Sequence, residues 1–173
     1  MDRKPSDGAH DLARDAAVEK IREIARCARV CLFGTIPGKF PLEVRPMVVE
    51  HVDEAGVLWF LSGRSSEKNH DISRDSRVQL LFANPGSSQY LSLNGTAYVS
   101  DDRPLRERYW NPFARAWFPG GVDDPELTVI RVWPEGGHYW DTEHGKTVSL
   151  VEIAVAAMTG QPTSTGIQGR IEP

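Results

Sequence analysis

Cysteine is scarce in this chain: Cys27 and Cys31 are the only two among 173 residues. That excludes a disulfide framework, and both thiols are expected to be buried and reduced, with a helix-to-strand change between them. The histidines (His10, His51, His70, His138 and His144) lack metal-ligand spacing and no CxxC accompanies them, so no metal is expected. No apolar run reaches the roughly 18 residues of a membrane span. Residues 1–10 are polar, without a signal-peptide apolar stretch, so the expected location is the cytoplasm. One-sided charge is missing as well. A net charge of −4 argues against a nucleic-acid partner but permits a small basic pocket. There is no GxSxG elbow, no GxxxxGK[ST] loop and no GxGxxG after a strand. With no evident nucleophile, base or metal, any reaction must be carried by a bound cofactor.

What the chain does have is ordered punctuation. Residues 1–10 read as a loose arm, residues 11–160 as one domain and residues 161–173 as an extended or disordered tail. From Asp11 to Arg29 a helical period places Leu12, Ala16, Ala17, Ile21, Ile24 and Ala28 near one face, with Arg14, Glu19, Arg22 and Arg26 opposite. Strand-like runs follow at 31–36, 44–52, 57–62, 78–83, 90–99 and 128–133, separated by turn signals. Gly136-Gly137 before His138-Tyr139-Trp140 suggests a further hairpin. Helical pieces are expected at 66–74, at 104–117 broken by Pro112, and at 149–158. The pattern predicts a mainly β protein of six or seven antiparallel strands, a barrel or sandwich with flanking helices.

Three stretches could carry chemistry. On the strand through Arg45, a period of two puts Arg45 with Met47 and Val49, and Val44, Pro46 and Val48 on the other face. A guanidinium among apolar neighbours calls for an anion, although a carboxylate or solvent would also serve. Pro46 cannot donate to a ladder and so marks an edge or bulge. In Leu61-Ser62-Gly63-Arg64-Ser65-Ser66-Glu67-Lys68 a strand passes into a helix, presenting free amides and a positive dipole end. Lys68 is a cation in the first turn, where Glu67 or a bound phosphate could offset it. A phosphate held by Ser62, the helix start, Lys68 and Arg45 accounts for all of them together. The third stretch crowds Trp110, Phe113, Trp117 and Phe118 between prolines and Gly120-Gly121. Helical spacing of Trp110, Phe113 and Trp117 fits core, subunit interface or a platform for a flat ligand. Trp140 is a separate ring-stacking candidate; Trp59 and Trp133 are expected in the core.

Val44-Arg45-Pro46-Met47, Leu58-Trp59-Phe60-Leu61-Ser62, Ser65-Ser66-Glu67-Lys68, Trp110-Asn111-Pro112, Ala116-Trp117-Phe118-Pro119-Gly120-Gly121 and Tyr139-Trp140-Asp141 occur in that order. Together, over residues 25–160, they resemble the general stress proteins of the pyridoxamine 5′-phosphate oxidase-like, FMN-binding split-barrel superfamily. The resemblance implies a split β-barrel, a homodimer, and flavin sites at the subunit interface holding FMN, with FAD as the alternative. It implies that Arg45 and Lys68, helped by Ser62, bind the phosphate. The backbone of Arg45, Pro46, Met47 and Val48 would lie along the ring, with Trp140 beside it. Trp110 and Trp117 would close the pocket from the opposite subunit. Glu67 stands where the B6 oxidases carry an arginine, and their arginine-rich carboxy-terminal segment is missing, so vitamin B6 oxidation is not implied. The expected function is a flavin-dependent oxidoreductase with a small-molecule redox partner. Alternatives are a flavin-binding store, buffer or sensor without turnover, and a barrel that holds another cofactor or none.

Overall fold

A computed structural model describes residues 10–36, 38, 41–142 and 166–173. The predicted helix at 149–158 and nearly all of the amino-terminal arm lie outside them. In chain order the elements are β1 (Leu12–Ala13), α1 (Asp15–Ala28), β2 (Val30–Thr35), β3 (Glu43–Val48), β4 (His51–Val52) and β5 (Leu58–Gly63). They continue with α2 (Glu67–Arg74), β6 (Arg77–Asn84), β7 (Gln89–Ser100), α3 (Arg103–Tyr109), β8 (Leu127–Thr142) and β9 (Gly166–Glu172).

The expectation of six or seven antiparallel strands is corrected: the described residues form nine strands in one mixed sheet, ordered β1-β9-β8-β7-β6-β2-β3, with β5 also on β8 and β4 on β5. All pairs are antiparallel except β1 with β9. Among the described residues the sheet is not closed: β3 at one end pairs only with β2, and β5 only with β4 and β8.

Three local departures produce the extra strands. Leu12 and Ala13, read as helix, pair instead with Ile171 and Glu172. The Arg14 amide donates to the Glu172 carbonyl, and α1 starts only after Arg14 turns at φ 51°. The run at 44–52 is split, because Val49 donates to the Arg29 carbonyl and Glu50 to that of Trp59. The hairpin read from Gly136-Gly137 does not exist. Both glycines lie inside the long strand β8, opposite Asn94 and Leu93 of β7. A Cβ on Gly137 would stand 2.1 Å from the Ser92 carbonyl oxygen. Glycine is there for close backbone approach, not for a turn. A register shift beside Asn94 and Gly95 lets the two long strands bend together. Residues 166–172, part of the stretch read as tail, form β9 against the second half of β8.

The core lies between α1 and the inner face of the sheet. Ala17, Ile21, Ile24 and Ala25 pack with Phe33, Phe60, Leu80, Leu91 and Leu93. Ala16, expected on that face, is exposed and Val18 is buried in its place. Phe33 meets Phe60 edge to face at 5.2 Å, a geometry worth about 0.5–1.5 kcal/mol beyond burial. Cys31 is buried, its thiol pushed up to about 12 by loss of solvent, whereas Cys27 is exposed on α1 rather than buried. Trp59 is buried, stacked on Tyr109 at 4.5 Å with its indole N–H on Asp53. Trp133, expected in the core, is exposed because its pleat phase follows Arg131 outward. Among the described residues no helix is long and apolar enough to cross a membrane.

Candidate functional site

The alternation read along β3 is what the strand does. Arg45, Met47 and Val49 are half-buried, while Val44, Pro46 and Val48 are exposed. Pro46 sits on an edge strand, where its missing donor leaves no ladder bond unmade. Beside this edge the sheet stays open, and a groove of about 2000 Å³ runs there. Its walls are the chain from Arg45 to Val52, residues 61–63, Ser66 and Lys68, one side of α1 along most of its length, Glu126, and Asn111, Phe113, Ala114, Trp117 and Phe118.

Seven of the predicted site residues (Arg45, Pro46, Met47, Val48, Ser62, Lys68 and Trp117) meet on this groove within one chain. Trp110 does not. It is half-buried against Ala114, Phe118 and Leu127 of its own chain. Trp140 is also elsewhere, opposite Tyr90 on the outward face of the sheet.

The cationic part of the groove is held from behind. Arg45 Nη1 donates to Thr35 Oγ1 at 2.6 Å, and Nη2 donates to Glu43 Oε2 at 2.9 Å. Thr35 in turn donates to the buried carboxylate of Asp71 at 2.6 Å. Lys68 is half-buried and, among the described residues, forms no ion pair; Glu67 does not supply one. Burial, and then the neighbouring Arg45 charge, hold its pKa below the ordinary lysine range. A desolvated ammonium beside a guanidinium is a site short of negative charge.

The strand-to-helix junction is partly self-occupied. Ser62 is buried, its hydroxyl donating to Asn69 Oδ1 at 2.7 Å, while Asn69 Nδ2 donates to Thr128 Oγ1 at 3.0 Å. Ser62 therefore pins α2 to the sheet, and Ser66, whose oxygen lies 3.3 Å from that of Ser62, is the more exposed hydroxyl on the groove. The Ser65 amide and hydroxyl are spent on Glu126 at 3.0 and 2.6 Å. First-turn amides have no intrahelical acceptor. That of Asn69 reaches Ser66, and those of Glu67 and Lys68 meet none among the described residues.

Sequence reasoning missed a second pair. Asn111 Nδ2 donates to Glu50 Oε2 at 2.6 Å, and Asn111 Oδ1 accepts from the Ala114 amide at 3.1 Å. An Asn before Pro is a helix-start signal, and here it starts the 3₁₀ turn Pro112–Ala116 that carries Phe113. Nothing in the sequence marks Glu50, which becomes special only because the chain leaves β3 there. Burial raises the pKa of Glu50, against the Asn111 hydrogen bond that lowers it. Asn111→Ala is expected to cost about 0.5–2 kcal/mol of stability through the lost cap, read as a fall in the urea midpoint. A wild-type midpoint would mean that the turn stands without it.

Comparison with known proteins follows the same lines. The model of the "Pyridoxamine 5′-phosphate oxidase like" family matches residues 16–164. The protein bli-3 of Neurospora crassa is 29% identical over 129 residues, 69% of this chain, and the match spans 62% of that relative's length. A Jannaschia sp. CCS1 structure described as a general stress protein 26 superposes with a TM-score of 0.68 at 25% identity, covering 90% of this chain and 95% of that one. The general stress FMN/FAD binding protein of Xanthomonas citri gives 0.64 at 22% identity, covering 78% and 94%. The family model spans most of the sequence, and this chain belongs to the pyridoxamine 5′-phosphate oxidase-like family.

Proposed function

We propose that this protein binds flavin, FMN rather than FAD, in the groove beside β3, and works as a flavin-dependent oxidoreductase. The observation that carries the reading is Lys68, a half-buried ammonium without an ion-pair partner among the described residues, next to Arg45. A phosphate there would meet two cations, the Ser66 hydroxyl and the first-turn amides of α2. Its neighbours along the groove, Met47, Val48 and Leu61, suit the flank of an aromatic ring system. Family membership and the FMN/FAD-binding relative from Xanthomonas citri support the same choice. Bound flavin would supply the redox chemistry; the chain's part is to grip the phosphate, orient the ring and shield one side of it.

The same reading includes a homodimer. Val30, Leu32, Val44, Val48, Leu81 and Tyr90 form an exposed apolar face across β3, β2, β6 and β7, with Trp140 at its margin. Pairing of two such faces would bury them, and would bring Trp140 to a flavin only from the partner subunit. Leu32→Glu is expected to give a monomer by sedimentation, with flavin affinity at least tenfold weaker. A dimer that survives would move the interface to another face.

The deciding experiment is titration of the purified chain with FMN, followed by visible spectrum and fluorescence, then anaerobic NADH or NADPH. Binding with bleaching supports the oxidoreductase. Binding without bleaching by either nucleotide retains the flavin site and removes nicotinamide-driven turnover. No binding overturns the proposal.

A further inference from the structure

We infer that the groove wall at Glu50 is a subsite for a flat substrate carrying a cationic nitrogen, such as an amidinium. The inference rests on the groove being the ligand site proposed above, and names what binds beside the flavin.

The groove wall carries both charges. Arg45 and Lys68 stand side by side on it; Glu50, five positions further along the chain and just beyond the end of β3, lines it as well. Glu50 is half-buried and, among the described residues, no Lys, Arg or His comes within ion-pairing distance of it. Arg26 and Arg29 line the α1 side of the groove, with both residues exposed, and neither pairs with it. Its partner is the Asn111 amide at 2.6 Å, which orients the carboxylate but carries no charge. Asn111 has no freedom to turn away, because its oxygen is tied to the Ala114 amide. The result is a carboxylate that is aimed, partly desolvated and without a counter-charge, a costly arrangement that a ligand cation would relieve.

The walls point to the same class of ligand. Phe113, in the turn that Asn111 starts, and Trp117, at its end, line the groove and are 84% and 72% exposed. Aromatic faces left so open favour a flat ring, and favour a cation over an anion. A substrate with a second phosphate would meet Glu50 where it needs a cation. Phosphate recognition is served at Arg45 and Lys68; the wall at Glu50 is built for the opposite charge.

Benzamidinium, benzamide and benzoate test this, being planar probes of nearly equal shape with charges of plus one, zero and minus one. Calorimetric titration into the 173-residue chain, with and without FMN, is expected to show benzamidinium binding at least tenfold tighter than benzamide, with benzoate weakest. Glu50→Gln keeps the Asn111 hydrogen bond and should bring benzamidinium and benzamide within about twofold of each other. Equal wild-type affinities, or a preference that persists in Glu50→Gln, would overturn the subsite. Should Glu50→Gln fail to fold, Trp117→Leu decides: a fivefold or greater loss of benzamidinium supports the aromatic wall, and unchanged affinity overturns it. The outcomes separate the two proposals. A chain that ignores FMN but keeps the benzamidinium preference removes the flavin and leaves the subsite; FMN binding without that preference does the reverse.

Discussion

Lys68→Met is expected to lose FMN while making the ligand-free protein harder to unfold. The two effects share one cause. In the free protein the ammonium is half-buried beside Arg45, and both burial and that charge lower its pKa. A base with a lowered folded pKa binds its proton more weakly folded than unfolded, so at neutral pH the charged form destabilises the native state. The penalty is fully present below the folded pKa and disappears as pH rises through it to the ordinary lysine value. Methionine keeps the stem and removes the charge. Urea unfolding at pH 7 should therefore favour Lys68→Met, with the advantage shrinking in strongly alkaline buffer. Saturating FMN should reverse the order, because the phosphate provides the missing negative charge only where a cation receives it. Loss of one charge-assisted contact is expected to weaken FMN by about 1.5–3 kcal/mol, roughly ten- to 150-fold. Riboflavin, which has no phosphate, should bind the variant and the wild type nearly alike. Equal weakening of FMN and riboflavin would place the phosphate elsewhere. Arg45→Ala should repeat the FMN result but not the gain in stability. Its guanidinium is already met by Glu43 and Thr35, and its removal strands the buried Asp71 carboxylate.

What could be read from the chain alone was mostly what lies within a few residues. Alternation along β3 foretold that Arg45, Met47 and Val49 share one face and Val44, Pro46 and Val48 the other; which face is covered came only with the fold. The hydroxyls before Lys68 foretold a strand-to-helix junction; the helix, read as starting at Ser66, starts at Glu67 with Ser66 as its cap. Long-range geometry was not readable. Ser62 and Ser66 look interchangeable as sequence, yet only the buried Ser62 is locked into the ring through Asn69 and Thr128. Thr35 and Asp71, which brace Arg45, lie 36 positions apart and meet only when α2 packs beside β2. Glu50 and Asn111, 61 positions apart, carry no common signature at all. Trp140 was assigned from a local motif, and its face is decided by the register of β8 on β7, which no local motif contains.

Gly137→Val is expected to be among the most destabilising single changes the sheet can suffer, about 3 kcal/mol or more. A turn glycine and a strand glycine look alike in sequence but fail differently. Were Gly136-Gly137 a hairpin turn, a side chain there would face solvent and cost little. In β8 a Cβ on Gly137 would stand 2.1 Å from the Ser92 carbonyl oxygen and 3.1 Å from the Leu93 Cα. Both are backbone atoms of β7, so neither can swing aside as a side chain would. Relief would require β7 and β8 to separate where Tyr139 and Leu91 meet the core, and where the second half of β8 carries β9. Gly86→Ala is the matched control, since the nearest atom to its Cβ would be the Asn84 side-chain oxygen at 3.9 Å. That change should stay within about 0.5 kcal/mol of wild type. Urea midpoints for the pair provide the comparison. If Gly137→Val unfolds no earlier than Gly86→Ala, strand β8 ends before residue 137 and the hairpin read from the sequence is the right one. If it unfolds far earlier, the unbroken strand stands, and with it the register that turns Trp140 outward.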